Sequence, residues 1–236
     1  MTTPKLPARD LVDVRLAAAI DDGGCAICVV RARGERGMLD SILAERVLDV
    51  GFREGLERDH AFCRRHVAEL VVADRRSTGI LGSSILYEAM LHRRLVAICG
   101  ALEVSGRRRR GRLTDAARRP PCQVCTEGRI AVDVATARLA DRTADPAWAA
   151  AAAAIPFCID DLLLVVAAAG DAPTAAPVID AQLARLEDLR ARLAGFVDHS
   201  AQDRRHLMTD DERRAADEAA RALGGRQPDD AGPVSR

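Results

Sequence analysis

The sequence has few aromatic residues, no net charge and no long uninterrupted hydrophobic run. Aromatic residues make up only 3% of the 236 residues, whereas Ala, Leu, Arg, Asp and Glu dominate and strand-forming runs are nearly absent. This composition favours helices that pack closely through small and aliphatic side chains. We therefore predict an all-α protein.

The charges of the chain balance, with 35 Lys and Arg residues against 35 Asp and Glu residues. A neutral chain has no overall field that draws it to nucleic acid or to an anionic membrane, so we expect neither as a partner. The basic stretch GRRRRGR at 106–112 lacks interleaved aromatic residues for base stacking, which favours a solvated linker over a nucleic-acid site. We expect the partner to be another protein.

The apolar segments are too interrupted to cross a membrane. The most apolar one, residues 147–170, contains Pro156 and the adjacent acids Asp160 and Asp161, which would be costly inside a bilayer. The first residues lack the basic start and apolar run of a secretory signal, so we expect a cytoplasmic protein, whose thiols stay mostly reduced.

Six of the seven cysteines lie in a repeated pattern. Each copy has a Cys-x-x-Cys pair, then an Asp followed three residues later by an aromatic residue, and then a Phe-Cys dipeptide. The copies read CAIC, DVGF and FCRRH in the first half of the chain, and CQVC, DPAW and FCIDD in the second. The pattern indicates an internal duplication of a module of roughly a hundred residues.

The first copy supplies Cys25, Cys28, Cys63 and His66. Three thiolates and one imidazole form a ligand set that zinc prefers in closed structural sites. The same ligand types also suit an iron-sulfur cluster, so ligand identity leaves both open. We predict a Cys3His metal site in this module, with zinc as the favoured metal.

The second copy supplies Cys122, Cys125 and Cys158, but Asp161 stands where the first copy has His66. A carboxylate ligates zinc less often in closed sites, so this Cys3Asp site is weaker, open to water or lost. His199, on the last long helix, is a candidate outside ligand that could complete it. The alternative for His199 is a solvent-facing side chain.

These motifs resemble a family of uncharacterised bacterial and archaeal proteins with a CPxC start, a GFRxxLxxxxGFCxxH block, an LGxAILYE segment, a second Cys-x-x-Cys, a late CxxH and a terminal xxHDYRF-like helix. The counterparts here are CAIC, GFREGLERDHAFCRRH, LGSSILYEAML, CQVC, FCIDD and FVDHSAQDRR, spread over most of residues 24–223. The resemblance implies a helical protein with paired cysteine sites, but it does not imply any particular activity. His199 falls at the family's late histidine, whereas Asp161 departs from its CxxH.

We predict two degenerate helical modules, at 1–104 and 122–224, joined by an Arg- and Pro-rich linker at 105–121, closed by a long C-terminal helix and followed by a disordered tail at 225–236. The leading hypothesis for function is a non-catalytic zinc protein of adaptor or assembly type, because a closed site has no position for substrate. The alternatives are an iron-sulfur or dithiol redox protein, and a metal-dependent hydrolase or metal-delivery protein that uses an open second site.

Overall fold

The computed structural model describes residues 6–77 and 79–225, and in these ranges the protein is all-α, as predicted. The two short pairings of extended backbone there are isolated bridges, from Leu56 to His60 and from Ala61 to Cys122. No helix within the described ranges combines the length and apolarity that a membrane span requires. The helices are α1 (Leu11–Asp21), α2 (Ala26–Ser41, continued by a π-helical turn at Ile42–Arg46), α3 (Val50–Gly55), α4 (Arg64–Ser77), α5 (Leu81–Leu102), α6 (Gly106–Ala117), α7 (Gln123–Arg142), α8 (Pro146–Ala154), α9 (Ile159–Ala169), α10 (Ala176–His199) and α11 (Asp210–Gly224), with short 3-10 turns at Pro173–Ala175 and Arg205–Leu207.

The chain divides into two compact units, which we call unit 1 and unit 2. Unit 1 comprises Met1–Ala32 and Ala131–Arg236, and unit 2 comprises Arg33–Ile130. The boundaries therefore fall inside α2 and α7. They differ from the sequential modules at 1–104 and 122–224, because unit 1 joins the two ends of the chain whereas unit 2 is built from its middle.

The core of unit 1 is organised around Trp148, which is completely buried. Asp145 caps the start of α8 by accepting a hydrogen bond from the backbone N–H of Ala147 at 3.0 Å. The Trp148 Nε1–H donates to the carbonyl of Pro7 at 2.9 Å, and the Arg142 guanidinium lies 5.0 Å from the ring centroid. This polar anchoring lets the indole be buried without leaving its N–H unpaired.

Buried Gln182 on α10 holds the segment that leads into α9. Its Oε1 accepts from the backbone N–H of Phe157 at 3.2 Å, and its Nε2 donates to the carbonyl of Ile155 at 2.9 Å. One side chain thus provides hydrogen-bond partners for backbone groups on both sides of Pro156, in the segment between the end of α8 and the start of α9. The position of Cys158, the next residue in this segment, depends on this bond pair.

The core of unit 2 contains Phe52 and Phe62 together with aliphatic residues of α4 and α5. Asp49 caps α3 by accepting from the backbone N–H of Phe52 at 3.0 Å. Between α4 and α5, the Asp74 Oδ2 accepts from both the backbone N–H and the hydroxyl of Ser83, at 2.6 and 2.8 Å. These bonds tie the helix that carries His66 to its neighbour.

Several expectations differ from the structure. Much of the predicted linker at 105–121 forms helix α6, because Arg is a good helix former and the glycines there do not interrupt the run. Cys99 is exposed, as are many apolar residues in the second half of α5. Helix α11 begins with a capping box formed by Thr209 and Glu212. The predicted tail lies outside the described residues, apart from Gly225.

Candidate metal centres

All four ligand motifs occupy the same place at the start of a helix. The first residue of each motif directly precedes the first helical residue, and the second is the third helical residue, one turn further on. These positions face the free backbone N–H groups and the positive end of the helix dipole, which stabilise thiolates and carboxylates. The motifs are Cys25 and Cys28 on α2, Cys63 and His66 on α4, Cys122 and Cys125 on α7, and Cys158 and Asp161 on α9.

The first group, which we call the Cys3His cluster, contains Cys63, His66, Cys122 and Cys125 and lies within unit 2. The Nδ1 atom of His66 faces all three sulfurs, at 3.3 Å from Cys63, 3.2 Å from Cys122 and 3.3 Å from Cys125. The sulfurs of Cys63 and Cys125 are 3.7 Å apart. Four donor atoms therefore surround one point.

A short backbone pairing brings the two halves of this cluster together. The N–H of Gln123 donates to the carbonyl of Ala61, and the N–H of Ala61 donates to the carbonyl of Pro121, each at 3.3 Å. The pairing aligns the segment before Cys63 with the segment before Cys122. As a result, the starts of α4 and α7 converge although about 60 residues separate them in the chain.

Carboxylates lie behind the far nitrogen of His66. The Nε2 atom is buried without a hydrogen-bond partner, at 3.6 Å from both Glu35 Oε2 and Glu69 Oε2. Glu35 is itself held by Arg65, whose Nη2 donates to Oε1 at 2.7 Å. A carboxylate behind a ligating imidazole orients the ring and strengthens the ligand nitrogen.

The electrostatics of the Cys3His cluster favour a thiolate beside an imidazolium when no metal is bound. Burial alone would lower the pKa of His66, but the contact of Nδ1 with Cys122 and the nearby Glu35 carboxylate outweigh it and raise this pKa to about 9. Burial raises the pKa of Cys122, yet the bond with His66 and nearby backbone N–H groups lower it to about 6. Desolvation and the neighbouring Cys122 thiolate raise the pKa of Cys125 to about 12. A divalent cation that binds these ligands would displace the protons of His66 and Cys125.

The second group, which we call the Cys3Asp cluster, contains Cys25, Cys28, Cys158 and Asp161 and lies within unit 1. The Asp161 Oδ2 atom is 3.2 Å from the Cys25 sulfur and 3.0 Å from the Cys28 sulfur. The Cys158 sulfur is 3.6 Å from that of Cys28 and 4.0 Å from that of Cys25. Asp161 thus takes the place that His66 has in the other cluster.

The two oxygens of Asp161 have different surroundings. Oδ2 faces the thiols, whereas Oδ1 accepts from the Arg31 guanidinium at 3.3 Å. Burial, and repulsion by negative charge on the nearby Cys28 sulfur, raise the pKa of Asp161 to about 6. The pKa of Cys25 is raised by its contacts with Cys158 and Cys28 and by burial. Without a cation, the Cys25 thiol therefore keeps its proton at neutral pH, and metal binding would have to displace it.

Gly225, at the end of α11, lies against the Cys3Asp cluster. A Cβ atom at this position would be 3.2 Å from the Cys28 sulfur and 3.7 Å from that of Cys158. The residue has φ of +68°, in the left-handed region that favours glycine. The absence of a side chain therefore lets the backbone approach the two sulfurs closely.

Both clusters have the dimensions of a single tetrahedral metal ion. With Zn–S bonds of about 2.3 Å and Zn–N bonds of about 2.0 Å, two sulfurs lie about 3.8 Å apart and a sulfur and a nitrogen about 3.5 Å apart. The observed sulfur separations are 3.6 to 4.0 Å, and the sulfur-nitrogen separations are 3.2 to 3.3 Å. The donor sets fit a metal such as zinc in their spacing as well as in their chemistry.

The structure divides the ligands differently from the duplication-based prediction. We expected Cys25 and Cys28 to join the Cys63 and His66 pair, and Cys122 and Cys125 to join the Cys158 and Asp161 pair. Instead, each Cys-x-x-Cys pair belongs with the late motif of the other copy. The reason is the course of the chain, because each cluster forms inside one unit and the two units do not follow the two copies.

His199 is not part of either cluster. Its Nδ1 lies 3.1 Å from Glu212 Oε2, which links the end of α10 to the start of α11. Asp161 itself provides the fourth donor of the Cys3Asp cluster, so the expectation of an outside ligand is not met.

The residues that surround the ligands were not predicted from the sequence. Arg31 carries a detectable signal, because it lies one helical turn after Cys28 on α2. Glu35 and Gly225 carry no such signal in the sequence, because only the packing of the helices brings them next to the clusters. Arg65 is adjacent to His66, but its bond to Glu35 depends on the same packing.

Comparisons with protein-family models, with curated proteins and with solved structures find no match to this chain. The resemblance to the uncharacterised cysteine-rich family therefore stays a prediction. The two groups of four donors are consistent with a metal-binding protein.

Proposed function

We propose that the protein is a zinc-binding helical scaffold in which each unit is held by one zinc ion, and that it acts as a non-catalytic adaptor or assembly factor. The observation that carries the proposal is the occurrence of two separate groups of four donors, each with its atoms within 4.8 Å of one another. A zinc ion in each group would join the starts of two helices that are distant in the chain. Folding and metal binding would then be coupled.

The spacing of the donors supports a single ion over an iron-sulfur cluster. In a 4Fe–4S cluster each cysteine ligates a different iron, and in a 2Fe–2S cluster each iron takes two of the four ligands. In both cases the four ligand atoms do not all lie as close together as the ligands of one ion, whereas here all four donors of each group lie within 4.8 Å of one another. The sulfurs of Cys63 and Cys125, and those of Cys28 and Cys158, are separated by 3.7 and 3.6 Å. These separations are typical of ligands that share one metal.

The complete ligand sets support a structural role over a catalytic one. A catalytic zinc site keeps one position for water or substrate, whereas a structural site has four protein ligands. Asp161, only 1% exposed, supplies the fourth donor of the Cys3Asp cluster, which disfavours the hydrolase and metal-delivery alternatives. A scaffold of this kind would act by presenting a surface to another protein, in a reducing compartment such as the cytoplasm.

The donor positions also support the inference of an internal duplication. Both Cys-x-x-Cys pairs begin a long helix, both aspartates of the DVGF and DPAW segments cap a short helix, and Phe52 and Trp148 are both buried three residues after the cap. In this account the copies exchanged their late motifs, so that each metal joins one motif from each copy.

The proposal is tested by elemental analysis and absorption spectroscopy of the full chain, purified without a tag under anaerobic conditions. We expect two zinc ions per chain and no visible absorbance. Replacement of zinc by Co²⁺ should give the intense absorption of tetrahedral thiolate coordination at both sites. Cys63→Ser should remove one zinc, whereas Cys99→Ser, a matched control at an exposed cysteine outside the clusters, should keep both.

Iron with matching sulfide would overturn the zinc assignment and favour the redox alternative. A chain without bound metal, with reversible formation of disulfides, would favour a dithiol protein. A metal ion that exchanges its water with added ligands would favour an open catalytic site.

A further inference from the structure

The two clusters differ in how far their sulfurs are accessible. In the Cys3Asp cluster, Cys25 is partly buried, whereas Cys28, Cys158 and Asp161 are only 7%, 5% and 1% exposed, and the backbone of Gly225 lies against two of the sulfurs. In the Cys3His cluster, Cys125 is exposed and Cys63 is only partly buried. Openness to water was one of three outcomes considered for a site that contains Asp161, but Asp161 lies in the less exposed of the two clusters.

We propose that the Cys3His cluster is a site of oxidative modification, at which a peroxide joins Cys125 to Cys63 in a disulfide and expels the metal ion, whereas the Cys3Asp cluster keeps its metal. The inference rests on the proposed zinc function and adds a reactivity to one of its two sites. The substrate class is a small hydroperoxide that can reach the exposed sulfur.

Hydrogen peroxide is the oxidant that converts the Cys125 and Cys63 thiolates to a disulfide. The Cys125 thiolate attacks one peroxide oxygen, the O–O bond breaks, and the products are a sulfenic acid and hydroxide. The Cys63 thiolate then attacks the Cys125 sulfur, an S–S bond forms, and a second hydroxide leaves. Two protons from solvent convert both hydroxides to water. The two sulfurs lose two electrons in total and the peroxide gains them.

The geometry selects Cys125 as the attacked residue and Cys63 as its partner. Cys125 is the one exposed sulfur among the six clustered cysteines. The Cys63 sulfur, from the other helix, lies 3.7 Å away, so a short movement suffices to form the bond. The positive charge of Arg65 interacts with the Cys125 side chain and would stabilise negative charge there.

Loss of Cys63 and Cys125 as ligands would leave Cys122 and His66 alone on the ion. Two protein ligands do not make a closed zinc site, so the ion would leave. The Cys3Asp cluster would stay intact, because Cys28 and Cys158 are buried and none of its cysteines is as exposed as Cys125.

The test uses the full, zinc-loaded chain, exposed to hydrogen peroxide in the presence of a chromogenic zinc chelator. We expect one zinc per chain to be released at least tenfold faster than the other. Peptide mapping by mass spectrometry at the end of the fast phase should find the Cys63–Cys125 disulfide. Cys99→Ser should release zinc like the wild type.

Cys158→Ser, which lacks the Cys3Asp site, should bind only the zinc ion of the Cys3His cluster, which is released fast. Because this variant could fail to fold, peptide mapping of the wild type also assigns the oxidised cysteines without any substitution. Release of both ions at one rate, or faster loss from the Cys3Asp cluster, would overturn the inference. So would a Cys122–Cys125 disulfide as the main product. A chain that carries two stable zinc ions but shows any of these results would refute this inference alone, whereas a chain purified without zinc would refute the proposed function as well.

Discussion

The carboxylate behind His66 offers a sharp test of the Cys3His site. Glu35 is 6% exposed, its Oε2 lies 3.6 Å from His66 Nε2, and its Oε1 accepts from Arg65 at 2.7 Å. Glu35→Gln keeps the size of the side chain but removes the negative charge that orients the imidazole and supports its proton on Nε2. Substitutions of such supporting groups typically lower metal affinity by about 10- to 100-fold.

We therefore expect Glu35→Gln to weaken one of the two zinc ions by this factor, equivalent to about 1.4 to 2.7 kcal/mol. The zinc in the Cys3Asp cluster should keep its affinity, because Glu35 belongs to unit 2 and that cluster to unit 1. The assay is a competition titration against a chelator of known affinity, which separates two classes of zinc.

A second substitution, at Gly128, should move the Glu35 carboxylate by steric contact. A Cβ at Gly128 would lie 2.7 Å from both Cγ and Oε1 of Glu35, so Gly128→Ala should displace the carboxylate and weaken the same zinc. Glu69→Gln is the matched control: its carboxylate is equally distant from His66 but 29% exposed, so its effect should be smaller. Wild-type affinity in Glu35→Gln, or equal weakening of both zinc ions, would refute the reasoning.

Three further outcomes follow from the structure. Trp148→Ala should lower the free energy of unfolding by about 3–5 kcal/mol in urea titrations, and a loss below about 1 kcal/mol would contradict its place in the core. Because the pKa of His66 is raised from 6.5 to about 9, its charge stabilises the metal-free fold below pH 6.5 and this contribution is lost as the pH rises through about 9. The stability difference between the metal-free wild type and His66→Gln should therefore shrink between about pH 6 and about pH 9.5, and a constant difference would contradict the ion pair with Cys122. Arg31→Ala should weaken zinc in the Cys3Asp cluster by about tenfold in the chelator titration, because it frees Asp161 Oδ1, and an effect on the other cluster instead would count against the assignment.

The helical fold was predictable because it follows from local chemistry. Scarcity of aromatic and strand-forming residues, abundant Ala and Leu, and capping residues such as Asp49, Asp145 and Thr209 all act within a few positions of the chain. The ligand candidates were also visible in the sequence, since paired thiols one helical turn apart stand out in a chain with seven cysteines. The structure gathers all eight motif residues into two groups of four.

The grouping itself was not predictable from the motifs. A repeated pattern of motifs suggests that each half of the pattern folds on itself, but the pairing of Ala61 with Cys122 joins the first half to the second. Such contacts between distant segments depend on the packing of whole helices. Because helix packing also places Glu35 and Gly225, their positions beside the clusters could not be predicted from the sequence. Helix packing likewise explains why Cys99, in an apolar stretch of sequence, is exposed.

The central claim, that each metal joins motifs from both halves of the chain, is tested most directly by counting zinc in two double variants. Cys63→Ser with Cys125→Ser removes two ligands of the Cys3His cluster, so we predict that one zinc per chain is retained. Cys28→Ser with Cys63→Ser removes one ligand from each cluster, so we predict that both ions are lost. The opposite pattern, in which the first variant binds no zinc and the second keeps one, would contradict the account and place each metal within a single copy of the repeat.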